Sequence, residues 1–341
     1  MTDPQRSPRS VAVVGATGAV GEILLEVLAE RRFPVSRLRA LASERSAGAT
    51  VRFRGEAVAV EPVRTQLFDD IDLVFFAATG SLSKELAPEA QRRGAVVIDK
   101  SSTWRMDPAV PLVVPEVNPD AAVNHRGILA CPNCTTIGFV MALEPLRRAA
   151  GLRSVVVTTL QAASGAGRDG TDELSRQTGA LASGRELEAK VFPRPLAGNV
   201  LPLCESFRED GYSTEEMKLL LETRKILGLP DLAVSMTCLR VPVAVGHSAT
   251  LLVETERPLS PAAARAALAG FPGLQVLDDP LNNLFPTPRD VAGRDPVLVG
   301  RIRRDLGSDR LWLWEVSDNL RKGAATNAVQ TAELLLARGL A

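Results

Sequence analysis

The sequence predicts an α/β protein of two domains, a doubly wound parallel sheet followed by an α+β domain. Three observations carry that prediction. The chain has 341 residues, the length of about two ordinary domains. An apolar run at 11–14 leads into Gly15-Ala-Thr-Gly18-Ala-Val-Gly21 and then into an apolar pattern of helical period. Beyond about residue 150 the apolar runs lengthen, and several alternate with polar residues as half-buried strands do.

The elements follow in order. The polar, proline-bearing start over 1–10, MTDPQRSPRS, is expected to be disordered. Residues 11–14 read as a buried parallel strand, 23–30 as a helix, 37–42 as a second strand and 73–78 as a third. A helix over 83–92 is closed by Gly94, and 95–98 is another buried strand. A strand-like segment then leads into Cys131-Pro-Asn-Cys134 and a helix over 136–149. In the second domain, strands are expected at 154–161, 234–243, 249–254, 297–303 and 311–316, antiparallel in character. Helices are expected at 171–190, 214–227 and 261–269, with a last one over 319–340.

Composition excludes several function classes. Lys plus Arg and Asp plus Glu are 40 each, a formal net charge of zero, which argues against a protein whose work is neutralising nucleic-acid phosphates. Aromatic residues are 4%, too few for a stacking platform. Four cysteines in this length do not make a disulfide scaffold. Two histidines rule out a His-rich metal site, and any catalytic imidazole is one of them. There is no apolar run of spanning length and no signal segment, so no membrane span is expected and the chain reads as cytoplasmic.

Four local patterns carry chemistry. The spacing G-x-x-G-x-x-G between strand and helix is a variant of the Rossmann dinucleotide fingerprint, where glycines let the backbone approach a pyrophosphate. The second strand ends in Ser43-Glu44-Arg45-Ser46, whose Ser43, Arg45 and Ser46 suit a ribose 2′-phosphate, against the opposing charge of Glu44; NADP is favoured over NAD. Cys134 opens a helix, where the dipole favours a thiolate, and is the leading nucleophile. A C-x-x-C redox pair with Cys131 is the alternative. His247 follows Gly246 and is the candidate proton carrier, while His125 reads as surface loop. Cys204 and Cys238 read as ordinary buried thiols.

Taken together, GATGAVG, ASERSAG, CPNCTT, QAASGAG, RVPVAVGHS and VSDNLRKGAA, in this order between about residues 11 and 333, resemble the aspartate-semialdehyde dehydrogenases of the bacterial type. The resemblance implies a glyceraldehyde-3-phosphate-dehydrogenase-like fold. An NADP-binding domain would comprise 11–133 plus 320–341, and a catalytic and dimerisation domain 134–319, in a homodimer. It implies NADPH-dependent reductive dephosphorylation of L-aspartyl 4-phosphate, in the biosynthesis of lysine, threonine and methionine, with inorganic phosphate as the other product and no metal.

Carried onto matching positions, Cys134 would accept the acyl group, Gln161 would orient it, Asn133 would help hold the oxyanion and His247 would be the acid/base. Arg240 would bind the α-carboxylate and Glu215 the ammonium. Arg105, Lys218, Ser101 and Asn133 would bind phosphate. Gly15, Thr17, Gly18, Ala19, Val20, Gly21, Ser43, Arg45, Ser46, Ser164, Gly165 and Asn319 would bind the cofactor. The chain departs from the family pattern at Lys100, Trp104 and Cys131. Cys131 offers a regulatory disulfide to Cys134. The competing readings are another phosphorylating aldehyde dehydrogenase, such as an N-acetylglutamyl-phosphate reductase, and a non-catalytic NADP-binding relative.

Overall fold

Val11–Val14 is apolar on both faces, and such a run is stable only as a strand covered on both sides. In the computed structural model, which describes residues 8–341, it forms the centre of β1 (Arg9–Val14), and its four side chains are fully buried. Around it lie α1 (Ala19–Glu30), β2 (Val35–Ala42), β3 (Thr50–Phe53), β4 (Glu56–Pro62), β5 (Leu73–Phe76), α2 (Gly80–Arg92), β6 (Val96–Asp99) and β7 (Ile128–Ala130). The sheet order is β3-β4-β2-β1-β5-β6-β7, and every pairing is parallel except the β3–β4 hairpin. The strand order therefore reverses at β1, and the turn after β1 leaves from the switch point where such sheets bind ligands. The C-terminal helix Thr326–Ala337 packs Val329, Ala332 and Leu335 into the same core as Leu24, Leu28 and Val11. These elements form one of two compact units, comprising the described part of Met1–Asn133 with Ala324–Ala341; the other is Cys134–Gly323.

Several expectations need correcting in this unit. Of the expected disordered start, residues 1–7 lie outside the described residues, but Arg9 and Ser10 belong to β1, where the Ser10 N–H donates to Asp72 at 2.7 Å. The β3–β4 hairpin was not foreseen. It turns on Arg54-Gly55 with φ of 52° and 86°, and its signal is the alternation that buries Val51 and Phe53 but not Arg52. Gly94 does end α2: at φ 92° it donates to Gln91 O (3.0 Å) while Ala95 N–H reaches Ala90 O (3.1 Å). His125 is half-buried rather than a plain surface loop; its Nε2 lies 3.1 Å from Leu340 O and its Nδ1 accepts the Gly127 N–H.

The second unit contains α3 (Cys134–Ala150), β8 (Ser154–Gln161), α4 (Gly167–Ala182), α5 (Thr214–Leu227), β9 (Ala233–Arg240), β10 (His247–Glu254), α6 (Pro261–Ala269), β11 (Leu274–Val276), α7 (Pro288–Val291), β12 (Val297–Arg304) and β13 (Leu311–Ser317). Its sheet runs β11-β12-β13-β10-β8-β9. The pairs β12–β13, β13–β10 and β10–β8 are antiparallel as expected, but β8–β9 and β11–β12 are parallel. The parallel β8–β9 pair aligns Gln161 with Arg240 at the strand ends.

Local chemistry sets the helix limits. At α5, the Ser213 Oγ accepts the Glu216 N–H while the Glu216 carboxylate accepts the Ser213 N–H, and Gly228 in the left-handed region stops the helix. The helix expected over 171–190 ends at Ala182, because Gly184 turns the chain at φ 64°. The Glu173 and Gln177 side chains of α4 then hold the returning backbone at Glu188 and Lys190–Phe192. The final helix is regular only from Thr326, since 321–325 is a π turn.

Candidate active site

In the first unit, the glycine turn is forced by its neighbours. A Cβ on Gly15, at φ 85°, would lie 2.4 Å from Ala77 O, and a Cβ on Gly21 would lie 2.1 Å from Gly15 O. The turn is therefore pressed against β5 and α1 against the turn. Gly18 caps α1 with no side-chain hydrogen bond, so the first N–H groups of α1, at Ala19 and Val20, are not taken by a capping side chain. Thr17 Oγ1 lies 3.4 Å from Ser46 Oγ, which brings the end of the second strand to the turn. Ser43, Glu44, Arg45 and Ser46 form a short exposed turn there, with Ser46 half-buried and Glu44 paired to Arg64 at 3.6 Å. An uncapped helix start beneath a glycine turn fits a dinucleotide pyrophosphate.

Also in this unit, Ser101, Arg105 and Asn133 are buried polar residues. Their segment hangs on Asp99, a residue the sequence reading missed. Asp99 accepts from Ser83 Oγ and from the Ser101 N–H, and Trp104 Nε1 donates to Ser83 Oγ at 2.9 Å. Burial raises the Asp99 carboxyl above its ordinary range, against the lowering effect of those Ser101 contacts and of Arg105 and Lys100. Arg105 Nη2 donates to Lys100 O at 2.8 Å.

In the second unit, four elements converge. Cys134 is the first residue of α3, and its Sγ lies 3.4 Å from His247 Nε2 at the start of β10. The other His247 nitrogen, Nδ1, accepts the Ala162 N–H at 3.0 Å. Arg240, at the end of β9, donates from Nη1 to Ala162 O at 2.7 Å. Gly165 lets these groups close up, since a Cβ there would lie 2.6 Å from Arg240 Nη1 and 3.2 Å from His247 Cε1. Gly246, at φ 98°, turns the chain into His247 where a Cβ would meet Pro288 at 3.0 Å.

Glu215 on α5 is a buried carboxylate among donors. Its Oε1 accepts from Gln161 Nε2 at 3.0 Å and Thr135 Oγ1 at 3.3 Å, and its Oε2 lies 3.6 Å from Lys218 Nζ. Lys218 also contacts Glu205, which the sequence reading did not single out. Ser164 and Asn319 hydrogen-bond to each other, with Asn319 Nδ2 2.9 Å from Ser164 Oγ.

The cysteines separate by burial. Desolvation pushes the Cys131 thiol up to about 11 and Cys204 to about 12, and raises Cys238 as well. Only Cys134 is partly exposed, and all four are free thiols. Among the described residues no group of side chains is placed to hold a metal ion, and no helix is long and apolar enough to cross a membrane.

Residues 10–125 match the family described as semialdehyde dehydrogenase, NAD binding domain, and residues 143–322 match semialdehyde dehydrogenase, dimerisation domain. An aspartate-semialdehyde dehydrogenase of Aquifex aeolicus is 51% identical over 335 residues, covering 97% of this chain and 98% of the relative. The chain belongs to the aspartate-semialdehyde dehydrogenase family.

Among solved members, aspartate semialdehyde dehydrogenase II of Vibrio cholerae, complexed with ASA, superposes with a TM-score of 0.94 at 46% identity, covering 97% of this chain and 98% of that one. The Candida albicans enzyme, solved with NADP, gives 0.74 at 25% identity over 98% and 100%. Membership fixes the fold as an N-terminal Rossmann NAD(P)-binding domain followed by an α+β dimerisation domain. What motif reading missed in this family member are Asp99, Thr135, Glu205 and the Ala162 N–H. Thr135 is visible in CPNCTT, but a backbone donor leaves no mark in a sequence.

Proposed function

We propose that this chain performs the NADPH-dependent reductive dephosphorylation of L-aspartyl 4-phosphate to L-aspartate 4-semialdehyde, through a thioester on Cys134. The observation that carries the reading is the 3.4 Å approach of Cys134 Sγ to His247 Nε2 beside the buried Arg240 and Glu215. A sulfur nucleophile needs a proton-carrying neighbour, and an α-amino acid needs one cation and one anion at its head.

In the reductive direction the Cys134 thiolate attacks the acyl carbon. The new bond is C–S, the bond that breaks is the acyl C–O, and phosphate leaves with its electron pair. The oxyanion that forms in between is held by Asn133 and by N–H groups at the start of α3. Gln161 orients the acyl group, Arg240 takes the α-carboxylate and Glu215 the ammonium. Ser101, Arg105 and Asn133 are proposed for phosphate; in the second unit Lys218 is proposed for the same role. The nicotinamide cofactor, when bound, supplies the hydride that reduces the thioester. Collapse then breaks the C–S bond with its electron pair left on sulfur, releasing semialdehyde and the thiolate, and His247, the proposed acid/base, faces that sulfur through Nε2.

Gly15, Thr17, Gly18, Ala19, Val20 and Gly21 would hold the pyrophosphate, with Ser164, Gly165 and Asn319 as further cofactor residues. Ser43, Arg45 and Ser46 favour NADP, and Arg45→Ala is expected to reduce the NADP-over-NAD preference in kcat/KM. A homodimer built through the second unit is expected and is read by sedimentation.

Cys134→Ala is the decisive test: turnover is abolished while cofactor titration is unchanged, and substrate labels wild-type Cys134 covalently. Substantial residual turnover in that variant overturns the assignment. Assays with the aspartyl, N-acetylglutamyl and glyceraldehyde-3-phosphate aldehydes separate this substrate from those of related enzymes.

A further inference from the structure

His247 is more constrained than an acid/base group needs to be. Its Nδ1 accepts the Ala162 N–H at 3.0 Å. A backbone N–H only donates, so Nδ1 is unprotonated in this arrangement, and the one ring proton sits on Nε2. Nε2 is the nitrogen 3.4 Å from Cys134 Sγ. An imidazolium would set a second proton against the Ala162 N–H, and the other neutral tautomer would do the same. Arg240, held on Ala162 O, keeps a fixed positive charge at the same turn.

The turn that presents Ala162 is fastened to the segment that leads into His247. Gln161 O accepts the Val241 N–H, Ala163 N–H reaches Val243 O at 2.8 Å, and Ser164 N–H reaches Ala244 O at 3.0 Å. Asn319 closes the end of this lacing. Its Nδ2 donates to Ser164 Oγ at 2.9 Å and its Oδ1 accepts the Gly246 N–H at 3.0 Å. Asn319 is itself fixed, because the adjacent Asp318 carboxylate accepts the N–H groups of Gly293, Leu320 and Arg321.

We propose that Asn319 is a positioning residue that clamps the 162–164 turn to Gly246 and thereby locks His247 in one neutral tautomer, Nε2–H toward Cys134. This rests on the active-site reading above and deepens it. His247 then meets the nucleophile as a hydrogen-bond donor to a thiolate already formed. Nε2–H is then the hydrogen bond offered to the sulfur and to the oxyanion that develops at the reacting centre. Of a tautomer-fixing contact elsewhere in enzymes it is known that its loss is costly with little movement of atoms.

The test is a nitrogen NMR measurement on the full chain with 15N-labelled histidine at neutral pH, without substrate. With only two histidines, His125→Gln assigns the spectrum. The expected result for wild type is a proton bonded to Nε2 of His247 and an unprotonated Nδ1. A wild-type His247 protonated at Nδ1, or at both nitrogens, overturns the proposal. In Asn319→Ala the Nδ1 signal is expected to move toward the protonated value, with kcat falling about 10–100-fold. An Asn319→Ala spectrum identical to wild type refutes the clamp. Ser164→Ala, which spares the Gly246 contact, is expected to shift the signal less and covers the case in which Asn319→Ala does not fold. The spectrum is independent of turnover, so failure here is distinguishable from failure of the Cys134 assignment, which the alanine variant decides.

Discussion

Glu315→Gln is expected to change the stability of this protein in a way that depends on pH. Glu315 lies on β13 beneath α3, with Ser317 beside it, and its Oε1 has no hydrogen-bond partner. Gly138 makes room for it: a Cβ there would lie 2.2 Å from Glu315 Oε1 and 2.5 Å from Ser317 Oγ. Burial pushes the Glu315 carboxyl up from 4.5 to about 8, against the lowering effect of the Ser317 hydrogen bond. Between those two values the folded chain holds a proton that the unfolded chain has lost. Stability therefore falls as pH rises through this window, by about 1.4 kcal/mol per unit, and levels off above the folded value. Below 4.5 both states are protonated and the penalty disappears. Glutamine is uncharged throughout and lacks this slope. Any fixed cost of burying its amide cancels when two pH values are compared. Between about pH 5.5 and about pH 7.5 the variant gains roughly 2.7 kcal/mol on wild type. For a chain of 341 residues that is a swing of about 4 °C in the difference between their Tm values, read by calorimetry. If the two Tm values stay the same distance apart at both pH values, Glu315 is not a buried neutral acid and the reasoning fails.

Arg240→Lys loses the planar fork and its contact with Ala162 O. It is expected to lower kcat/KM for the semialdehyde by about 10–100-fold, mostly through KM, in initial-rate kinetics. Gly21→Ala places a Cβ 2.1 Å from Gly15 O, a backbone atom rather than the end of a flexible side chain. A loss of about 1–3 kcal/mol is expected, together with weakened cofactor binding, measured by thermal unfolding and by cofactor titration. Cys131→Ala is expected to leave the rate of inactivation by mild peroxide unchanged, because Cys131 is fully buried and burial pushes its thiol up to about 11, which disfavours the thiolate that a disulfide needs. Slower inactivation in that variant would restore the regulatory disulfide that the C-x-x-C spacing suggested.

Those expectations rest on contacts of different legibility. The β1–turn–α1 unit is readable because its glycines answer to local geometry: each position that excludes a Cβ lies within a few residues of what excludes it, or against the neighbouring strand. α5 and α6 are readable for a similar reason, since Ser213 and Ser260 cap their starts and Gly228 and Gly270 follow their ends. The helix expected to run to 190 fails where tertiary contacts take over, because Glu173 and Gln177 bind backbone N–H groups that helical periodicity cannot register. The site divides along the same line. Cys134, Gln161, Arg240 and His247 stand in recognisable motifs, yet each motif supplies one group, and their meeting depends on strand order β10-β8-β9 with Gln161 and Arg240 in register. The state of each group is less legible still. Glu315 is an ordinary acidic residue in a strand until Gly138 is seen above it, and His247 is an unspecified imidazole until the Ala162 N–H is seen at Nδ1. Residue type is written in the sequence, whereas protonation is set by what burial removes and what a single backbone N–H supplies. The balance of 40 basic and 40 acidic residues therefore says little about the charges that do the chemistry, which are few, buried and individually partnered.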